Sequence, residues 1–191
     1  MAEDSTRSPQ QAPGDAELIA AVLEGRTERF QPLMERHQQA IHAYLFRFLL
    51  GDTETARDLT QTVFLKAFRN LRAVDPARPF APWLYRIAHN EAANHLRSRA
   101  RRPESGLEPD HWARLPAAEG NDPEANRLEA EEQAALRSAL AQLAPRQREV
   151  VMLHYFEDKS YEEIAEILAM PLGTVGTLMH RARRRLRDLL A

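Results

Sequence analysis

No cysteine occurs in the 191 residues, so the chain forms neither a disulfide nor a thiolate metal site, and thiol sensing by the chain itself is excluded. A reducing, cytoplasmic setting fits that composition. Glycine is scarce, at seven residues, and no Gly-rich phosphate loop, Gly-x-Ser-x-Gly elbow or His-Glu-x-x-His pair is present. The seven histidines are scattered, and His37 and His42 do not share a helix face, so core or surface roles outweigh metal binding. No enzyme activity, metal or cofactor is expected on these grounds. Long apolar runs are missing too: nowhere do about 18 uninterrupted apolar residues occur, which excludes membrane insertion by a helix. The polar start, Met1 to Gly14, with Pro9 and Pro13, lacks the apolar stretch of a signal peptide and reads as a disordered tail. Period-two alternation long enough for a strand is also lacking, which leaves an all-α chain.

What is present is charge, sorted into blocks beneath a net of -2. Arg97, Arg99, Arg101 and Arg102 follow one another with no acid among them. From Pro103 to Ala135 the sign reverses, with nine acids against Arg114 and Arg127. The first half of that segment carries Pro103, Pro109, Pro116, Pro123, Gly106 and Gly120 and reads as a flexible linker. Two small helical domains joined by an acidic tether result: a tail over 1–14, a first domain over 15–102, the linker over 103–123 and a second domain over 124–191.

Helical periodicity supplies the elements. Asp15 is placed to cap a short helix that Gly25 ends, and Thr27 to cap the next. Phe30, Leu33, Met34, His37, Ile41, Tyr44, Leu45 and Phe48 form one stripe, closed by Gly51. Asp52 opens a third helix bearing Ala56, Leu59, Val63, Phe64, Ala67, Phe68 and Leu71 on one face, and Asp75, Pro76 and Pro79 break the chain after it. Pro82 suits the first turn of a fourth, with Trp83, Leu84, Ile87, Ala88 and Ala92 inward. The striped phenylalanines, Phe30, Phe48, Phe64 and Phe68, and Tyr44 read as core. Trp83 and Tyr85 fit either packing or stacking on an unpaired base. In the second domain Leu128, Leu136, Leu140 and Leu143 share one helix, Pro145 starts another, and Ser160 with Glu163 forms a capping box ahead of Ile164, Ile167 and Leu168.

From Ser160 to Arg187 the spacing is that of a helix-turn-helix. Pro171 is read as ending the first helix and Gly173 as permitting close backbone approach, with Val175 returning to the core. The outer face then offers Thr174, Thr177, His180, Arg181 and Arg184 to a groove, while Arg183, Arg185 and Arg187 reach phosphates. An arginine run is more often a solvated face; a capped helix and tight turn directly before this one favour DNA. The basic end of the fourth helix divides evenly between phosphate contact and solubility.

These residues resemble the extracytoplasmic-function group of bacterial RNA polymerase sigma factors over about Asp15 to Leu190. "ARDLTQTVFLKAFRNL" (Ala56 to Leu71) looks like the family's helix that docks on the clamp helices of the polymerase largest subunit, "FAPWLYRIAHNEAANHLRSRARR" (Phe80 to Arg102) like its minus-10 helix, and "LAPRQREVVMLHYFEDKSYEEIAEILAMPLGTVGTLMHRARRRL" (Leu143 to Leu186) like its minus-35 domain. The resemblance implies that Asp58, Leu59, Gln61 and Phe64 contact core RNA polymerase, that Asn90 and Asn94 face minus-10 bases with Arg97 and Arg99 on the backbone, and that Thr174, Thr177, His180, Arg181, Arg183 and Arg184 serve the minus-35 element. It also implies an anti-sigma factor as partner, beside polymerase and promoter DNA. Four positions depart from the family pattern: Thr62 stands where an acid is common, Val74 replaces an aromatic in a loop that pockets a flipped base, and Gly176 and Leu178 replace residues of the reading face. A conventional helix-turn-helix regulator with a ligand-sensing first domain is the rival reading, but it needs no polymerase-docking helix. A helical enzyme with an incidental basic surface is the third, and it would require a convergent pocket.

Overall fold

The computed structural model describes residues 13–49, 51–75, 77–100, 134–136 and 138–190. The tail over 1–12, the acidic linker, Arg101, Arg102 and Leu128 lie outside them. Four helices make the first domain: α1 (Asp15–Leu23), α2 (Phe30–Phe48), α3 (Thr53–Arg69) and α4 (Phe80–Ala100). In the second, helical residues 134–136 and 138–141 precede α5 (Pro145–Tyr155), α6 (Tyr161–Ile167) and α7 (Leu172–Leu190). No strand occurs among the described residues.

Local chemistry sets the helix ends. Asp52 caps α3 by accepting the Thr55 amide at 3.0 Å and the Thr55 hydroxyl at 2.8 Å. Asp15 is not a cap: Gly14 holds that position, and the Asp15 carboxylate instead ties α1 to α2 through Arg36 and through His37 Nε2 at 2.8 Å. Thr27 likewise caps nothing. It opens a short 3₁₀ turn, Thr27–Arg29, before α2 begins at Phe30. Gly25 does end α1, at a φ of 101° that glycine tolerates without penalty.

The first core is built from Leu33, Ile41, Tyr44 and Leu45 of α2, Ala56, Val63 and Ala67 of α3, and Leu84, Ala88 and Ala92 of α4. Buried in it, the Tyr44 hydroxyl lies 3.2 Å from His89 Nδ1. Burial raises the Tyr44 pKa, so the phenol stays protonated beside the imidazole. Burial, with Arg146 and Arg97 adding to it, lowers the His89 pKa from 6.5 to about 4. The unfolded chain therefore takes up a proton first as pH falls, and stability conferred above pH 6.5 declines between 6.5 and 4, by about 3 kcal/mol at most. Denaturant midpoints measured at pH 7 and 4.5 should show that fall, and His89→Gln should flatten it.

In the second domain Arg148 stitches α5 to the preceding turn, its guanidinium donating to the carbonyls of Leu140 (2.8 Å), Ala141 (2.6 Å) and Leu143 (3.0 Å). Leu140 and Leu143 are buried with Val150, Leu153, Ile164, Ile167, Val175, Met179 and Ala182, whereas Leu136 stays exposed.

Candidate nucleic-acid interface

The turn between α6 and α7 sets the direction of the arginine-rich helix. Ser160 accepts the Glu163 amide at 3.1 Å and Glu163 accepts the Ser160 amide at 2.8 Å, the reciprocal cap expected from their spacing. At the other end the bend is made before Pro171: Ala169 adopts φ 50°, its amide reaches Glu166 O at 3.3 Å, and the Met170 amide reaches Ala165 O at 3.0 Å. Pro171 stands just before α7, its carbonyl accepting from the Thr174 and Val175 amides. The role expected of Gly173 is not found, since a Cβ there would meet nothing within 4 Å.

Along α7, Val175, Met179 and Ala182 are buried on one side. On the opposite side Thr174, Thr177, His180, Arg181 and Arg184 are all exposed, at three- and four-residue steps that align them on one face. Thr177 donates its hydroxyl proton back to Gly173 O at 2.8 Å, so toward a ligand its oxygen offers lone pairs. Arg183 leaves that face: its Nε donates to the Tyr155 hydroxyl at 2.9 Å and its guanidinium stands 5.7 Å from the Tyr155 ring. It flanks that exposed face, positioned by a tyrosine of α5 that helical periodicity alone does not point to. Leu178 is half-buried against the core and serves packing. At Gly176 a Cβ would meet nothing within 4 Å and φ is not positive, so Gly176→Ala is expected to raise stability by about 1 kcal/mol in a thermal or urea melt.

The second surface lies on α4. Arg86, Asn90, Asn94 and Arg97 are exposed and recur at steps of four, four and three, a strip of amides and guanidinium groups along one side. Arg97 donates to Asn94 Oδ1 at 2.6 Å, leaving the Asn94 amide protons outward. Arg99 is exposed 4.0 Å from Asp52, the cap of α3. Both ambiguous aromatics resolve to packing. Tyr85 is buried and donates to Glu157 at 2.7 Å, while half-buried Trp83 lies against Phe80 with ring centres 5.6 Å apart. Val74 is buried in the core, so its side chain turns away from any base the loop would hold.

The third surface is a groove between α2 and α3. Phe30, Met34, Phe64, Leu65 and Phe68 give it an apolar end of about 360 Å³, and Gln38, Thr60 and Gln61 continue it to His42 and Arg57. Asp58 and Gln61 are exposed beside it and Leu59 is half-buried. Phe64, at 5% exposure, belongs to the floor, so it cannot project toward a partner as a docking side chain. Phe68, read as core from its stripe, is instead 39% exposed and meets Phe30 edge-on at 5.1 Å. Leu65, which the stripe did not include, is the most open apolar residue of the rim at 49%. The hydroxyl at Thr62 folds back onto Asp58 O at 3.0 Å. Among the described residues no group of three or more histidines or acids is arranged to hold a metal, and no helix is long and apolar enough to cross a membrane.

One basic helix face behind a tight turn, one amide-rich strip and one apolar groove thus form three separate surfaces. Residues 33–102 match Sigma-70 region 2 and residues 133–186 match Sigma-70 region 4. The RNA polymerase sigma-H factor of Pseudomonas aeruginosa is 34% identical over 178 residues, covering 88% of this chain and 90% of its own. The ECF RNA polymerase sigma factor SigW of Bacillus subtilis is 31% identical, covering 90% and 94%. Among solved structures, CnrH in complex with the cytosolic domain of CnrY superposes with a TM-score of 0.66 at 30% identity over 92% of this chain and 96% of that one. The sigma factor RpoE of Bartonella quintana, in complex with the anti-sigma factor NepR, gives 0.63 at 25% identity over 84% and 96%. The chain belongs to the extracytoplasmic-function group of RNA polymerase sigma factors. It is an alternative sigma factor that directs promoter-specific transcription initiation.

Proposed function

We propose that the three surfaces divide that work as the chain order suggests. The first domain, over 15–102, binds core polymerase through the α2–α3 groove and its rim, Asp58, Gln61, Leu65 and Phe68. It captures minus-10 bases on the strip of Asn90 and Asn94, with Arg97 and Arg99 on phosphates. The second domain, over 124–191, holds minus-35 duplex on Thr174, Thr177, His180, Arg181 and Arg184, with Arg183 to the side. Residues 103–123 join the two. The observation that carries this reading is the separation of faces on α7: every proposed reading residue is exposed, and the opposite side is core.

The mechanism needs no covalent chemistry, and the protein acts cytoplasmically, beside polymerase and DNA. Cations on α7 displace counterions from the duplex, and His180 and Arg181 add donors for base edges. On α4, outward amide protons of Asn94 replace base-pair hydrogen bonds of an unpaired base. Each captured base offsets unstacking with contacts of order 1–3 kcal/mol, so melting is driven by binding. An anti-sigma factor, as in the RpoE–NepR complex, is a further expected partner. Free chain should hold promoter duplex weakly in physiological salt and co-elute with core polymerase on size exclusion. Nanomolar duplex binding without polymerase, or failure to co-elute, would contradict the division.

A further inference from the structure

Among the described residues, Arg183 is the arginine of the α7 run that takes a side-chain partner from another helix. Its Nε donates to the Tyr155 hydroxyl, so the phenol oxygen is the acceptor and its own proton is left for a third group. The terminal guanidinium nitrogens of Arg183 meet no partner among the described residues, and both side chains are exposed. Tyr155 is itself held in place. His154 stands edge-on to its ring, with centres 4.9 Å apart, and to the ring of Tyr161 at 5.2 Å. The His154 Nδ1 lies 2.9 Å from the Lys159 carbonyl, which can only accept, and this fixes the imidazole in turn.

We infer that Tyr155 and Arg183 together clamp one backbone phosphate at the edge of the minus-35 duplex, which makes Tyr155 a DNA-binding residue supplied by α5 rather than by the helix-turn-helix itself. The donors set the ligand class. Guanidinium N–H groups and a phenol O–H turn only protons outward, which suits an anion with several acceptor oxygens. Position on α7 agrees. Val175, Met179 and Ala182 mark the core side, Thr174, Thr177, Arg181 and Arg184 the opposite side, and Arg183 leaves the helix between the two, toward the wall of a groove and not its floor. On that flank Gly176, about two turns back, leaves room, and exposed Arg187, about one turn on, adds a second cation. Because Tyr155 already holds Arg183, the side-chain ordering that phosphate binding demands is completed in the folded protein. The clamp rests on the assignment of α7 to minus-35 duplex proposed above.

The test uses core polymerase carrying the full chain to enrich bound duplexes from a random library; the enriched upstream element is then remade with one uncharged methylphosphonate linkage at each position in turn. Tyr155→Phe, which keeps the ring, should weaken binding to the unmodified duplex about 5- to 30-fold with base selection unchanged. Arg183→Gln should weaken it at least as much and lower the slope of log affinity against log salt by about one. At one linkage the methylphosphonate should cost the parent a similar factor and cost Tyr155→Phe almost nothing further, a coupling that loosened helix packing does not produce. Equal affinity of Tyr155→Phe and the parent, or losses that simply add at every linkage, would overturn the clamp and leave the assignment of α7 standing. Weaker binding of Tyr155→Phe to core polymerase without DNA would overturn it in favour of an acidic group of polymerase. Enrichment of no upstream element would sink both the clamp and the assignment beneath it.

Discussion

Replacing Arg181 with alanine is expected to lower polymerase-dependent initiation roughly 5- to 100-fold, with His180→Ala close behind, while the melting temperature stays unchanged. Both side chains are exposed on the face of α7 that carries no packing, so their loss costs the fold little. A well-placed guanidinium on a base edge contributes about 1–3 kcal/mol of discrimination, which sets the range. Leu178→Ala should behave the other way. That side chain is half-buried against the core, so truncation should lower stability and leave activity per folded molecule near that of the parent. Run-off transcription beside a melt of each variant separates the two effects. An activity loss in Leu178→Ala as large as in Arg181→Ala, with melting unaltered, would place the reading face elsewhere on the helix.

Phe68→Ala is the second change with a large expected effect, weakening binding to core polymerase about 30-fold or more. A half-exposed aromatic at the rim of an apolar groove is the kind of residue that anchors a protein interface, where truncation commonly costs 2 kcal/mol or more. The neighbouring Phe64→Ala makes an informative contrast. Phe64 forms the floor of the same groove and is buried, so its truncation should lower the stability of the first domain by about 3–5 kcal/mol. Titration of labelled chain with core polymerase, paired with urea melts, distinguishes an anchor from a floor. Equal polymerase affinity for Phe68→Ala and the parent would remove the groove from the docking surface.

The contrast between Phe64 and Phe68 also shows where sequence reading stops. A three-and-four stripe shows that both aromatics lie toward one side of α3, but the depth of each is decided by where α2 crosses, and Phe68 falls at the edge of that crossing beside Phe30. Local signals were legible where the chemistry is local: the Asp52 and Ser160 caps, the Gly25 stop and the outward row on α7 all depend on residues within a few positions of one another. Thr27 and Asp15 are the types that cap helices, yet one starts a 3₁₀ turn and the other is drawn to Arg36 and His37 about 20 residues away. The bend before α7 is expected at Pro171, with Gly173 allowing close backbone approach, whereas Ala169 takes the left-handed position and a Cβ at Gly173 would meet nothing within 4 Å. Tyr155 beneath Arg183 and Glu157 between the domains were invisible for the same reason. Their partners lie 28, 72 and 110 residues distant, and no periodicity records such a pairing.

The claim that α4 and α7 grip two separate promoter elements is tested most directly by run-off transcription with core polymerase on a library randomised at both elements, with transcript starts sequenced for the parent chain, Arg181→Ala and Asn90→Ala. The parent should select a bipartite promoter, Arg181→Ala should relax base choice only in the upstream element, and Asn90→Ala only in the downstream one. Absence of any polymerase-dependent start, or relaxation of the downstream element by Arg181→Ala, would contradict it.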